Sequence, residues 1–128
     1  MKIEKLDRVV VYVKDFEDAK KFFGDLFETP FTEVGPVKQD ISGTVNRAAI
    51  TPFGLELLER ISPPVELAGL VGFHLKVKDL AAAREELKGK GIEPVADITI
   101  KGLKELVYII RGLRIILVEY EGDNFGLE

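Results

Sequence analysis

Apolar and polar positions along this chain switch between two rhythms, and the same succession of rhythms occurs twice. Leu6 to Val13 is a nearly unbroken β-branched run, which predicts a strand covered on both faces. Asp15 follows as a helix N-cap with Asp18 three positions on, and Phe16, Ala19, Phe23 and Leu26 then recur at helical spacing. An amphipathic helix packed on a sheet is the expected result. Three short β patterns come next, Phe31 to Lys38, Thr44 to Ile50 and Leu55 to Ile61, separated by Gly43 and by the turn signal Pro52-Phe53-Gly54.

The second half repeats the order. Gly72 to Val77 reads as a strand, and Asp79 caps a helix that reaches about Lys88, carries Leu80, Ala83 and Leu87 on one face and stops at Gly91. Pro94 to Ile100, Leu103 to Arg111 and Arg114 to Glu121 read as strands, the last two joined at Gly112. The letters repeat as well: Val13-Lys14-Asp15 returns as Val77-Lys78-Asp79, Ala19 aligns with Ala83, and Pro30 with Pro94. Two β-α-β-β-β modules from an internal duplication account for this pattern.

Module one is expected over 3–62, a linker opened by Ser62-Pro63-Pro64 over 63–70, module two over 71–121, and a frayed tail over 122–128. The expected fold class is α+β: two tandem βαβββ modules forming a curved mixed sheet, a half-open barrel with its helices on the outer face. One such module leaves a concave face that it cannot bury alone, and pairing two makes a cavity. At 128 residues the chain is long enough for one self-sufficient domain.

Composition narrows the function classes. Without cysteine there is no disulfide, zinc finger or thiolate nucleophile. Each half carries nine basic and eleven acidic residues with no basic block, so a nucleic-acid partner is not expected. No apolar stretch approaches the length of a membrane span, and the charged start Met1-Lys2-Ile3-Glu4-Lys5 is unlike a secretory signal, which points to a cytoplasmic protein. A single Met, two Asn and one Gln beside abundant charged and β-branched residues hint at a thermostable chain. There is no phosphate-cradling glycine loop, and Ser42 and Ser62, the two serines, lack a nucleophile-elbow context. Asp15-Phe16-Glu17-Asp18 is a solvated helix start without calcium-loop spacing.

The succession of pieces resembles the vicinal oxygen chelate superfamily, which includes glyoxalases, bleomycin-resistance proteins and extradiol dioxygenases. The resemblance rests on Leu6 to Asp15 with Phe22-Phe23 in module one, and on Gly72 to Asp79 with Glu85-Glu86-Leu87 and Lys90-Gly91-Ile92 in module two. Leu55 to Glu59 and Ile116 to Tyr120 fit the strand ends, so it covers residues 3–121. The resemblance implies a divalent metal held by a His on the first strand and a Glu or Gln on the last strand of each module. These positions fall on Arg8 and Gly72, on Glu56, and on Ile116, or on Arg114 if the turns at Gly54 and Gly112 are aligned instead. Three of four ligand positions are therefore lost and no metal is expected. If one binds, Glu56 and His74 are the residues left to hold it.

Family parity puts Arg8, Val10 and Tyr12, Glu56, Leu58 and Arg60, His74 and Lys76, and Ile116, Val118 and Tyr120 on the concave face. Val9, Val11, Val13, Phe73, Leu75, Val77, Ile115 and Leu117 then face the helices. The candidate ligand-binding set is Arg8, Tyr12, Glu56, His74, Lys76, Tyr108 and Tyr120. Arg8 and Glu56 are expected either to satisfy each other as a buried ion pair or to join His74 and Lys76 in an anion site. Three functions follow from the resemblance: a small-molecule-binding protein with a degenerate metal site and a small, anionic ligand; a divergent metal-dependent lyase, epimerase or dioxygenase; or a catalytically inactive scaffold whose pocket its own side chains fill. A homodimer is expected by the same analogy.

Overall fold

The computed structural model describes residues 1–38, 43–63, 68–122 and 124–126. Eight strands and two helices run in the expected order: β1 (Ile3–Tyr12), α1 (Phe16–Leu26), β2 (Thr32–Lys38), β3 (Val45–Ile50), β4 (Leu55–Ser62), β5 (Gly69–Val77), α2 (Leu80–Gly89), β6 (Ala96–Ile100), β7 (Leu103–Ile110) and β8 (Leu113–Glu119). Both caps form as the sequence predicts. The Asp15 carboxylate accepts the Asp18 N–H at 3.2 Å, and the Asp79 carboxylate accepts the Ala82 N–H at 3.0 Å.

The chain divides into two compact units, the first holding Arg8–Lys38 and Gly43–Val71, the second Met1–Asp7 and Gly72–Glu128. In the first, the strand order is β2-β3-β4-β1. Here β1 runs parallel to β4 with Val9 opposite Leu55, and β3 is antiparallel to both β2 and β4. Helix α1 covers one face, with Phe16 and Ala19 packed on Ala49 and Leu57 among Val11, Val13, Phe23 and Leu55. The second unit repeats the arrangement in the order β5-β8-β7-β6, with β5 parallel to β8 and Phe73 opposite Ile115. Helix α2 buries Leu80, Ala83 and Leu87 against Val77, Leu106, Tyr108 and Leu117.

The duplication is thus written in the strand register as well as in the letters. Val9 to Tyr12 face Leu55 to Leu58 as Phe73 to Lys76 face Ile115 to Val118. Arg47 lies opposite Glu59 on β3 and β4 just as Lys104 lies opposite Glu119 on β7 and β8. Strand side chains alternate between faces. Six of the eight residues expected on the helix side, Val11, Val13, Leu75, Val77, Ile115 and Leu117, pack in the two helix-side clusters.

Two expectations change at the edges. Strand β5 begins at Gly69, so the end of the expected linker is strand; residues 64–67 of that linker lie outside the described residues. The expected frayed tail is anchored in its described part. Asn124–Gly126 form a short 3-10 turn, Phe125 is buried with its ring 6.1 Å from that of Tyr120, and the Gly102 N–H donates to the Gly126 carbonyl at 3.2 Å. An aromatic side chain that can reach the core is enough to hold a terminus down. Among the described residues, no helix is long and apolar enough to cross a membrane.

Candidate functional site

On the face of the first unit turned away from α1, Arg8 and Glu56 meet. The Arg8 guanidinium donates to Glu56 Oε1 at 2.7 Å, and Arg8 is only 2% exposed. Strand parity makes the pair possible: Val9 and Val11 alternate with Arg8, and Leu55 and Leu57 with Glu56, so the two charges share a face of parallel strands β1 and β4. A charge so deeply buried needs its opposite within hydrogen-bond distance, and here it has one. Tyr12 lies further along the same face, with the Arg60 guanidinium 6.0 Å from its ring centre.

In the second unit the matching strands carry a different pair. His74 Nε2 lies 3.3 Å from Glu105 Oε1, with His74 3% and Glu105 8% exposed. Nδ1 of His74 is buried and has no hydrogen-bond partner among the described residues. Glu105 is a site residue that sequence reasoning missed. Its register opposite Val118 puts it on the face away from α2, whereas Leu106 and Tyr108 point to the helix.

Lys76 sits near Glu4 at 3.3 Å, with its ammonium 4.5 Å from the centre of the Tyr120 ring. The Tyr120 hydroxyl donates to the buried carboxylate of Asp7. These groups stand beside a cavity of about 680 Å³ at the C-terminal ends of β5 and β8, lined among others by Lys76, Lys78, Lys104, Glu119 and Tyr120. Lys78 is exposed and makes no ion pair among the described residues.

Tyr108 must be taken out of the candidate ligand-binding set. It is fully buried on the helix side with Leu80, Leu87 and Leu117, and its hydroxyl has no hydrogen-bond partner among the described residues. Burial raises its phenol above the ordinary value, with the nearby Glu93 and Asp97 acting in the same direction and Arg84 opposing them. The physical reason is alternation. Tyr108 lies two residues from both Leu106 and Ile110, which face the same helix.

The four positions that the family resemblance assigns to a metal do not fit one. Arg8 is a cation that already occupies the Glu56 carboxylate. Gly72 has no side chain and no room for one, since a Cβ there would lie 2.5 Å from the Arg114 carbonyl oxygen. The register settles the last position as Ile116, which faces His74 as Glu56 faces Val10. Among the described residues, no group of three or more His, Asp or Glu side chains is arranged to hold a metal ion.

Two duplicated βαβββ modules with this register define a glyoxalase-like chain. Residues 5–120 match the family model described as the Glyoxalase/Bleomycin resistance protein/Dioxygenase superfamily, and the chain belongs to that superfamily. No curated protein matches it. Among solved structures it is similar to a hypothetical protein of Bacillus halodurans C-125, at 18% identity with a TM-score of 0.71 over 93% of this chain and 96% of that one. It is similar to the methylmalonyl-CoA epimerase of Mycobacterium tuberculosis, at 18% identity and a TM-score of 0.68 over 94% and 90%. A Streptomyces coelicolor methylmalonyl-CoA epimerase in complex with 2-nitronate-propionyl-CoA matches at 15% identity and a TM-score of 0.68 over 94% and 100%. At these identities the likeness shows the fold: α+β, two βαβββ modules, each with four strands in a mixed sheet and one helix.

Proposed function

We propose that this chain is a metal-independent small-molecule-binding member of its superfamily, in which the metal position of module one has become a structural ion pair. The observation that carries this reading is the buried 2.7 Å contact of Arg8 with Glu56. A carboxylate neutralised by a guanidinium has no charge left over for a divalent cation, and a cation beside it repels one. The ligand's place is the cavity of about 680 Å³ in the second unit, within the size range of small-molecule sites.

Its lining favours a small polar molecule with an anionic group. Lys78 and Lys104 supply ammonium donors at the rim, and the Tyr120 ring supplies a flat wall with Lys76 above it. Glu4, Glu119 and Glu121 match the three lysines of the lining in number, so a ligand that also carries hydrogen-bond donors fits better than a bare anion. The epimerase, lyase or dioxygenase reading requires a metal or a replacement for it, and Arg8 and Gly72 count against the metal. The inactive-scaffold reading draws on the same Arg8 to Glu56 pair, and the cavity is what separates binding from inactivity.

The test is metal content by plasma mass spectrometry on untagged protein purified without chelator, alongside His74→Ala and Glu56→Ala variants. The expected result is no stoichiometric metal. About one nickel, zinc, iron or manganese per chain, lost in both variants, would overturn the proposal in favour of the enzyme. Small carboxylates and phosphates then serve as binding probes by calorimetry. Binding weakened by Lys78→Glu supports the cavity assignment, and no binding to any of them leaves the inactive scaffold as the reading.

A further inference from the structure

Module two departs from the duplication at the end of β8. Glu119 lies opposite Lys104 as Glu59 lies opposite Arg47, yet β4 runs on to Ser62 whereas β8 stops at Glu119. Gly122 follows with a φ of 76°, and Asn124–Gly126 come back as a 3-10 turn against Gly102 and Tyr120. The seat is close-fitting. A Cβ at Gly102 would lie 3.1 Å from the Gly126 carbonyl oxygen, and one at Gly126 would lie 2.7 Å from the Tyr120 Cβ, so a side chain at Gly126 would push the turn off.

Phe125 holds this turn against its own backbone preference. The residue sits in the left-handed region, at φ 56° and ψ 27°, which a bulky side chain adopts only where its surroundings compensate. Here the compensation is burial: Phe125 is 8% exposed, with its ring edge-on to Tyr120 and 6.1 Å between centres. A turn strained in its backbone and held through a side chain has two natural states, docked with the ring buried and released with the strain relieved. Its position gives that choice a consequence. Gly102, Tyr120 and Gly126 line the cavity of about 680 Å³ together with Lys76 and Lys104. Tyr120 is the shared part, since the ring that meets Phe125 also lies 4.5 Å from the Lys76 ammonium, and its hydroxyl is fixed on Asp7. A ligand resting on Tyr120 and Lys76 therefore borders on the turn.

We propose that Asn124–Gly126 is a strap on the cavity, latched by Phe125, and that docking of the strap and occupancy of the cavity reinforce each other. The strap's role rests on the anion-binding reading of that cavity, to which it adds regulation. A bound ligand gains contacts with the docked strap and none with the released one, so it shifts the turn toward docking. By linkage, the docked strap holds the ligand more tightly by the same factor. Release of Phe125 opens the wall at Gly126, which makes strap opening a step in ligand exit.

Hydrogen exchange followed by NMR on the full chain reads the strap, because the Gly102 N–H donates to the Gly126 carbonyl at 3.2 Å. Inorganic phosphate is the probe, since its monohydrogen form carries both negative charge and an O–H donor. The Gly102 amide is expected to be protected in the wild type and to exchange at least about tenfold faster in Phe125→Ala and in Gly126→Val, while the amides of β7 and β8 keep their wild-type rates. Phosphate is expected to slow Gly102 exchange in the wild type, and its dissociation constant by calorimetry to rise about fivefold or more in both variants. A Gly102 amide that is unprotected in the wild type, or that Phe125→Ala leaves unchanged, overturns the strap. Loss of protection spread over β7 and β8 in both variants overturns it too, since the turn would then be part of the core. Phosphate bound equally by all three proteins overturns the coupling and leaves the anion site standing. No phosphate bound by the wild type overturns the anion-site reading and the coupling with it.

Discussion

Module one buries its polar pair at Arg8 and Glu56, whereas in module two the register-matched positions are Gly72 and Ile116 and the polar pair has moved to His74 and Glu105. The reverse holds at the other two positions. Where module two has His74 and Glu105, module one has Val10 and Ala48, both buried and apolar. Each module thus keeps one buried polar pair on the face away from its helix, but the two pairs join different strands: β1 to β4 in one, β5 to β7 in the other. A strand face tolerates this exchange because the two members of each pair meet each other locally. A metal does not tolerate it, because its ligands must converge from fixed positions. By contrast, the Arg47 to Glu59 pair at 3.2 Å is matched at its equivalent position by Lys104 and Glu119 at 4.0 Å, so the duplication has kept a pair near the strand ends and diverged at the centre.

Cutting one member of the module-one pair breaks the comparison most severely. Arg8→Ala takes the guanidinium from Glu56 and Glu56→Ala takes the carboxylate from Arg8, and each is expected to cost about 3–5 kcal/mol in urea unfolding. The double variant Arg8→Met with Glu56→Leu, which makes module one as apolar at these positions as module two, is expected to recover most of that loss. A double variant no more stable than either single one would mean that shape, not charge pairing, keeps Arg8 in place.

The module-two pair is expected to be worth less, since one member is an imidazole. Glu105→Ala should cost about 1–3 kcal/mol through the buried group it leaves behind. The chain has a single histidine, so long-range nitrogen spectra report His74 without assignment. With Nε2 3.3 Å from Glu105 Oε1, the neutral ring is expected to carry its proton on Nε2 and leave Nδ1 bare. A ring protonated on Nδ1 instead would show that Glu105 does not orient it, and the parallel between the two modules would fail.

Much of this was legible in the chain because period and capping are local. Alternation along Val9 to Val13 and Phe73 to Val77 fixed which residues meet the helices, and Asp15 and Asp79 marked the two helix starts. The Arg8 to Glu56 pair could be read as one of two outcomes, since parity places both side chains on one face but says nothing of what else is there. Glu105 was hidden because a lone carboxylate in the run from Leu103 to Ile110 reads as a solvent-facing interruption. Its alternation with Leu106 and Tyr108 was the available signal. Tyr108 was misplaced because its hydroxyl suggested a ligand contact, when the same alternation sends it to the core. The crowding at Gly72 depends on how near the Arg114 backbone approaches, a tertiary distance that no local pattern carries.

Tyr108 supplies the finest comparison, because its register partner in module one is Thr51: Tyr108 faces Ile115 on β8, and Thr51 stands at the corresponding place beside Leu55 on β4. Both residues are fully buried and both carry a hydroxyl. Thr51 Oγ1 accepts the Leu55 N–H at 2.9 Å and lies 3.3 Å from the Leu55 carbonyl, while the Tyr108 hydroxyl has no hydrogen-bond partner among the described residues. Thr51→Val is therefore expected to cost about 1–2 kcal/mol, and Tyr108→Phe to lie within about 1 kcal/mol of wild type on the stabilising side. The pH dependence separates them further. Burial holds the Tyr108 phenol above its ordinary 10.0, so the unfolded chain gives up that proton first, and the stability this residue contributes is present below pH 10 and falls away as pH rises beyond it. Unfolding midpoints taken upward from neutral pH should fall more steeply for wild type than for Tyr108→Phe once pH 10 is passed, and parallel curves would mean that the fold does not desolvate the phenol.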